Sequence, residues 1–140
     1  MLAGEPSIPT KSNEGDIELR GRVVCLAEEM AKLHGANVLQ DHLHQWGFKT
    51  ADGKYYTLVR TRNTEAFFSD EEMRQRELII RGRVFPDTML LDAIPLRSVK
   101  NGTIHDIYYW CDICSIRSVA PGECMCCQAP VKLVENPLSE

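Results

Sequence analysis

The chain has 140 residues, 44% of them apolar and 26% charged, which is typical of a soluble globular domain. This composition excludes a disordered, collagen-like or coiled-coil chain. Charged residues break every apolar run well short of the ~20 residues that a membrane-spanning helix needs. Sixteen Lys and Arg against twenty Asp and Glu give a net charge of -4, which disfavours general binding to nucleic-acid phosphates.

Residues 1–15 contain glycine, proline and serine and lack the apolar stretch of a secretory signal. We predict a flexible tail and a cytoplasmic location. A chain from which a leader had been removed would have the same sequence, so that alternative stays open.

From Asp16 to Cys25, apolar and charged residues alternate with the period of a strand that has one buried face. The centre of this strand, Leu19-Arg20-Gly21-Arg22-Val23, returns as Ile80-Arg81-Gly82-Arg83-Val84. A glycine inside a strand marks a bulge, a sharp bend or a close approach of two backbones. We therefore expect one of these features at both glycines.

The rest of the chain gives similar local signals. Helical spacing over residues 26–34 ends at Gly35, and Asp52-Gly53 between two strand-like runs is typical of a hairpin. Asn101-Gly102 is a second turn. The predicted elements are strands at 46–50, 54–61, 78–85, 89–99 (interrupted at Pro95) and 103–110, and helices at 26–34 and 64–75. Ser69-Asp70-Glu71-Glu72 is a possible start of the second half of the later helix.

A helix between the third and fourth of five strands resembles the order of an OB-fold, a small Greek-key barrel. The resemblance covers about residues 16–100 and implies a mainly β fold; a mixed sheet with flanking helices is the alternative. We predict a tail at 1–15, an OB-like barrel domain at 16–102, a metal-binding ribbon packed on the barrel at 103–135, and a second tail at 136–140.

The cysteines cluster: five of the six lie between Cys111 and Cys127. Cys111-x2-Cys114 and Cys124-x2-Cys127 form two pairs, and each pair places two thiolates on one side of a tetrahedral ion. We therefore predict a four-thiolate metal site. Disulfides are the alternative reading. The equal x2 spacing favours Cys124 and Cys127 as ligands and leaves Cys126 beside the site.

Residues 110–130 resemble the rubredoxin-like domains that end rubrerythrins, and short zinc ribbons generally. The shared marks are Trp110 before the first cysteine, Ala120-Pro121 upstream of the third, and Pro130 three residues after the fourth. The resemblance implies that Cys111, Cys114, Cys124 and Cys127 hold structural zinc, or iron for one-electron transfer. We expect zinc, with iron as the alternative.

The sequence departs from that pattern after each cysteine pair. The families commonly have glycine there, where a positive backbone angle aims amide N–H groups at sulfur, whereas this chain has Ser115 and Gln128. The departure predicts fewer or poorer N–H to sulfur bonds. The chain also lacks the paired Glu-x-x-His helices of a di-iron bundle, so rubrerythrin peroxidase chemistry does not carry over.

His34, His42 and His44, with Asp41 and Cys25, are the remaining metal-ligating residues. They predict either a second metal site or surface histidines in a polar insertion. We favour surface histidines and a core role for Cys25, and assign no function to them.

Exposed aromatics on OB strands often stack single-stranded bases, with arginines contacting phosphates. The adjacent aromatic residues are Tyr55, Tyr56, Phe67, Phe68, Tyr108, Tyr109 and Trp110, and the arginines are Arg20, Arg22, Arg60, Arg62, Arg81 and Arg83. The acidic charge, and Glu18, Glu65 and Glu77 as ion-pair partners, favour arginines that are solvated or paired.

Catalytic motifs are missing from the sequence: there is no Gly-rich phosphate loop, nucleophile elbow or His-Glu-x-x-His. We expect a non-catalytic binding or assembly module that carries structural zinc and binds another protein. A rubredoxin-like iron electron carrier and a single-stranded nucleic-acid-binding OB protein are the alternatives.

Overall fold

The computed structural model describes residues 16–138, so the predicted tail at 1–15 lies outside the described residues. The fold is mainly β. None of the helices in this range is long and apolar enough to cross a bilayer. In chain order the elements are β1 Ile17–Cys25, α1 Leu26–His34, β2 Trp46–Thr50, β3 Tyr55–Leu58, α2 Glu65–Ser69, α3 Glu71–Arg74, β4 Glu77–Val84, β5 Leu90–Lys100, β6 Thr103–Cys111, β7 Ile116–Ser118 and β8 Lys132–Pro137.

The first five strands form a closed ring, which we call the five-strand ring. Antiparallel pairing runs in the order β3-β2-β1-β4-β5, and a parallel pairing of β3 with β5 closes it. All five strands contribute to one apolar core, which α2, α3 and β6 complete. Its fully buried members include Phe48, Phe67, Met73, Leu78 and Leu91.

Gly21 and Gly82, the two glycines of the repeated segment, lie where two backbones nearly touch. Gly21 pairs with β4 through Leu78 and with β2 through Thr50, so it marks the place where β1 changes neighbours. A Cβ atom at Gly21 would lie 2.0 Å from the carbonyl oxygen of Lys49, and one at Gly82 would lie 2.0 Å from that of Asp92. Of the three features expected at these glycines, the structure shows a close backbone approach at both.

The predicted helix at 64–75 is wrong in its continuity, because the segment forms two short helices that meet at Asp70. Asp70 has an extended backbone, and its carboxylate accepts a hydrogen bond of 3.0 Å from the amide of Glu72. It also accepts one of 2.6 Å from the buried Tyr109 hydroxyl. Capping α3 and binding this hydroxyl hold Asp70 outside the helix.

The predicted interruption of the fifth strand at Pro95 is a bulge inside one continuous strand. Ile79 faces Arg97 whereas Ile80 faces Pro95, so Leu96 is an extra residue on β5. Proline has no amide hydrogen to donate to a neighbouring strand, and a bulge is one of the few strand positions that accept it.

The C-terminal segment extends the sheet beyond the ring. The start of β6 pairs with β5, and its end pairs with β7. Strand β8 pairs along the other edge of β6. Strand β8 includes Asn136 and Pro137, which the sequence analysis placed in a tail. Its Glu135 carboxylate is 12% exposed and accepts hydrogen bonds from Ser98 on β5 and Arg76, the latter at 3.1 Å. Strand β8 is thereby bound to the ring as well as to β6.

Candidate metal centre

The four cysteines of the two pairs converge at the far end of β6. Cys111 ends that strand, Cys114 lies in the turn to β7, and Cys124 and Cys127 lie in the turn before β8. Their sulfur atoms all lie within 4.8 Å of one another, and those of Cys111 and Cys127 are 3.5 Å apart. We call this group the four-cysteine cluster. All six cysteines of the chain have free thiols.

The spacing of these sulfurs fits a tetrahedral ion. Four thiolates bound to zinc at about 2.3 Å lie about 3.8 Å from one another. The separation of Cys111 and Cys127 is within a few tenths of an ångström of this value, and all the others are at most 4.8 Å, so movements of about 1 Å or less would complete the site. Four protein ligands leave no position for substrate, which restricts such a centre to a structural or electron-transfer role.

The turns at residues 111–115 and 124–128 have the same backbone geometry. The amide of Ser115 donates to the carbonyl of Cys111, and the amide of Gln128 donates to that of Cys124, both at 2.8 Å. Ser115 has φ 56° and Gln128 has φ 62°, the left-handed conformation that favours glycine. Both turns therefore adopt a positive φ after the cysteine pair with a residue other than glycine.

Each turn also places an amide against sulfur. The amide nitrogen of Cys114 lies 3.3 Å from Cys111 Sγ, and that of Cys126 lies 3.4 Å from Cys124 Sγ. N–H groups aimed at sulfur stabilise a thiolate and tune any metal that it binds. The first cysteine of each pair therefore has an amide contact despite the missing glycine.

The thiols of the cluster strongly affect one another's ionisation. Hydrogen bonds from the amides of Cys127 and Cys126 lower the pKa of the Cys124 thiol to about 7. Contacts with the thiols of Cys126 and Cys127 raise the pKa of Cys114. Closely spaced thiolates repel one another, and a divalent cation removes that repulsion, so this arrangement favours a bound metal.

The spacing argument placed Cys126 outside the ligand set. In the structure Cys126 is exposed, and its sulfur is not a member of the four-cysteine cluster. Its backbone amide contributes to the site through the contact with Cys124 Sγ.

The sequence analysis missed two exposed apolar residues beside the cluster. Ile113 is 71% exposed between the first two cysteines, and Met125 is 82% exposed directly after the third. The x positions of a Cys-x2-Cys turn point away from the metal, which is the signal that would have identified them.

A second group of ligating side chains joins Cys25, His42 and His44. Glu28, which the sequence analysis did not consider, completes it, and the four ligand atoms lie within 4.8 Å of one another. The signal for Glu28 is its position three residues after Cys25, one helical turn along α1. His34 and Asp41 are exposed and are not members of this group.

Contacts within the chain already engage several of the candidates for nucleic-acid binding. Arg20 pairs with Glu77 at 2.6 Å, and Arg60 forms a bidentate salt bridge with Glu65 at 2.8 and 2.9 Å. Tyr56, Phe67 and Tyr109 are buried in the core. The guanidinium of Arg117 covers the ring of Tyr108, 3.9 Å from its centroid.

Comparison of the chain with protein-family models, curated proteins and solved structures finds no match. What the molecule does is therefore inferred from its own residues and their geometry.

Proposed function

We propose that this chain is a non-catalytic binding or assembly module in which an OB-like barrel is extended by a structural zinc ribbon. Cys111, Cys114, Cys124 and Cys127 are the zinc ligands. The observation that carries this proposal is the convergence of the four sulfurs between two turns of matching geometry. The ring order, with helices between β3 and β4, supports the OB-like part.

Burial supports a structural role for the metal. Within residues 112–131 the only buried residue is Cys124; every other side chain is half-buried or exposed. A segment of this length without an apolar core does not supply enough hydrophobic free energy to hold one conformation. Metal coordination would provide the missing free energy of folding.

A protein partner fits the surface beside the metal better than a nucleic acid does. Ile113 and Met125 offer exposed apolar area on turns that the metal would make rigid, as protein interfaces require. The arginines at Arg20 and Arg60 are already paired with carboxylates, and the chain is acidic. A salt-sensitive interaction with single strands remains the least supported candidate.

Iron electron transfer is the second candidate. Cys114 and Cys127 are half-buried, so a redox partner would approach an ion at this centre closely. The amide contacts to Cys111 and Cys124 would stabilise the extra negative charge when Fe(III) accepts an electron.

Metal analysis and a visible spectrum of the natively purified chain separate the two candidates. We expect zinc and no colour; iron with thiolate charge-transfer bands would overturn the zinc proposal and favour the electron carrier. Cys111→Ser should lower the bound metal by one equivalent, because it removes a buried ligand.

Cys126→Ser is the matched control, since it removes a thiol from the same turn without removing a proposed ligand. It should keep the full metal content. A loss of metal in this variant, or an unchanged content in Cys111→Ser, would contradict the ligand assignment.

A further inference from the structure

We propose that Cys25, Glu28, His42 and His44 form a second binding site for a divalent transition metal of the Zn²⁺ class. We call these four residues the Cys25 cluster. They lie where β1 meets α1 and where the following loop returns to β2. The site shares no residue with the four-cysteine cluster and goes beyond the structural zinc proposed above.

The distances within the Cys25 cluster match a coordination shell. Glu28 Oε2 lies 3.1 Å from His42 Nε2 and 3.2 Å from His44 Nδ1, and Cys25 Sγ lies 3.8 Å from His42 Nε2. In a tetrahedral site with bonds of about 2.1 Å to N and O and about 2.3 Å to S, the ligands lie about 3.4 Å (N to O) and about 3.6 Å (S to N) apart. The observed separations differ from these values by only a few tenths of an ångström.

The backbone holds the four residues in place without a metal. Cys25 is the last residue of β1 and pairs with Trp46, and Glu28 lies in the first turn of α1. The amide of Leu26 donates to the carbonyl of Gln45 at 2.8 Å, which fixes the end of the loop beside the start of the helix. The backbone around the site is therefore ordered before an ion binds, so binding costs little backbone conformational entropy.

Both imidazole rings are oriented for coordination. His42 Nδ1 lies 2.7 Å from the carbonyl oxygen of Leu39, so it donates there and leaves Nε2 free to bind metal. The ring of His44 stacks on Trp46 at 4.7 Å between centroids, and the guanidinium of Arg74 lies 4.2 Å from the centroid of Trp46. A backbone acceptor on a ligating histidine is the usual second layer of a metal site.

The ligand set selects the metal. One thiolate, two imidazoles and one carboxylate suit Zn²⁺ and its spectroscopic substitute Co²⁺, whereas Ca²⁺ and Mg²⁺ prefer oxygen ligands. Cys25 is buried, while Glu28 and His44 are 54% and 49% exposed, so an ion at this site would be reached from solvent. Exposed Glu–His ion pairs alone are weak and give no reason for a buried thiol at the same point.

The test counts metal in the full-length chain after saturation with Zn²⁺ and removal of unbound ion. We expect two equivalents in the unmodified protein and one in His42→Ala and His44→Ala, with the Zn²⁺ affinity of this site lowered at least ~10-fold. His34→Ala, which changes an exposed histidine outside the cluster, should keep two. Equal zinc content in the unmodified protein and His42→Ala would overturn the proposal.

Cobalt identifies the ligands. Co²⁺ added to the protein should give a thiolate charge-transfer band that Cys25→Ser and His42→Ala reduce, and excess Ca²⁺ should not displace it. A band that these variants leave unchanged would assign all thiolate-bound cobalt to the four-cysteine cluster and refute the second site.

The two proposals fail independently. Cys111→Ser reports on the four-cysteine cluster and His42→Ala on the Cys25 cluster, so each variant should remove one equivalent and leave the other. Far-UV circular dichroism should show that His42→Ala, a change of a half-buried side chain in the loop before β2, retains the fold.

Discussion

At the scale of single residues, the two cysteine turns show how a local conformation is kept without the residue best suited to it. Ser115 and Gln128 have positive φ values that place a Cβ atom close to the backbone. The turn hydrogen bonds to Cys111 and Cys124, together with convergence of the four sulfurs, determine the conformation. The side chains of Ser115 and Gln128 therefore do not determine the backbone conformation of the two turns.

Glycine at these positions should therefore stabilise the protein. We expect Ser115→Gly and Gln128→Gly each to raise the free energy of unfolding by about 1 kcal/mol, because glycine adopts φ above zero without strain. Urea unfolding of the metal-loaded protein measures it. Met125→Gly, in the same turn but without a positive φ, should instead lower the free energy of unfolding. A higher free energy of unfolding in that variant too would argue against the backbone explanation.

At the scale of elements, one carboxylate, that of Glu135, joins the C-terminal strand β8 to the five-strand ring. Burial alone would raise the pKa of Glu135, but the hydrogen bonds from Ser98 and Arg76 outweigh it and hold the pKa below its usual range. A carboxyl group with a lowered pKa in the folded state stabilises the fold above its unfolded pKa of about 4.3. That contribution is lost as the pH falls through the folded value.

Glu135→Gln should lower the free energy of unfolding at pH 7 by about 2 kcal/mol, because it weakens charged hydrogen bonds in a mostly buried place. The difference between variant and parent should shrink as the pH falls from the unfolded pKa of about 4.3 through the lower pKa of the folded state, below which the parent carboxylate is protonated. Urea unfolding across this pH range measures both effects. A difference that is constant with pH would show that the charge is not responsible. Glu123→Gln, at an exposed site, is the control.

At the scale of the whole molecule, the five-strand ring includes close approaches of neighbouring strands at Gly21 and Gly82 that leave no room for a side chain. Gly21 and Gly82 are the centres of the repeated apolar-Arg-Gly-Arg-Val segment, and β1 and β4, which contain them, pair directly. Close contact at Gly21 lies where β1 changes from β4 to β2 as its neighbour, and close contact at Gly82 brings β4 against β5.

A methyl group at either point should disrupt this close approach. We expect Gly21→Ala and Gly82→Ala each to lower the free energy of unfolding by about 3 kcal/mol, the upper range for overpacking, since the obstacle is backbone. Gly102→Ala, at a turn with positive φ and open space, should cost about 1 kcal/mol. Thermal and urea unfolding rank the three variants by their free energy of unfolding. Equal decreases of that free energy at all three positions would exclude the steric explanation.

Several features followed from the sequence because they depend on neighbouring residues. Alternation predicted the strands, Cys-x2-Cys spacing predicted which sulfurs meet, and the strand glycines predicted a close backbone approach. Each of these signals acts within a few residues, where backbone geometry leaves few options. The capping residues at 69–72 marked where the second helix starts, but the sequence did not predict the break at Asp70, because its partner Tyr109 is distant in sequence.

Tertiary structure alone decided the Cys25 cluster. The histidines lie beyond α1 in the chain, and only the loop that returns to β2 brings them to Cys25 and Glu28. The same holds for Glu135, which reaches Ser98 and Arg76 only because β8 pairs with β6. Composition and periodicity predict which residues are buried and which lie in turns. Contacts between distant segments form only when strand pairing closes the loops between them.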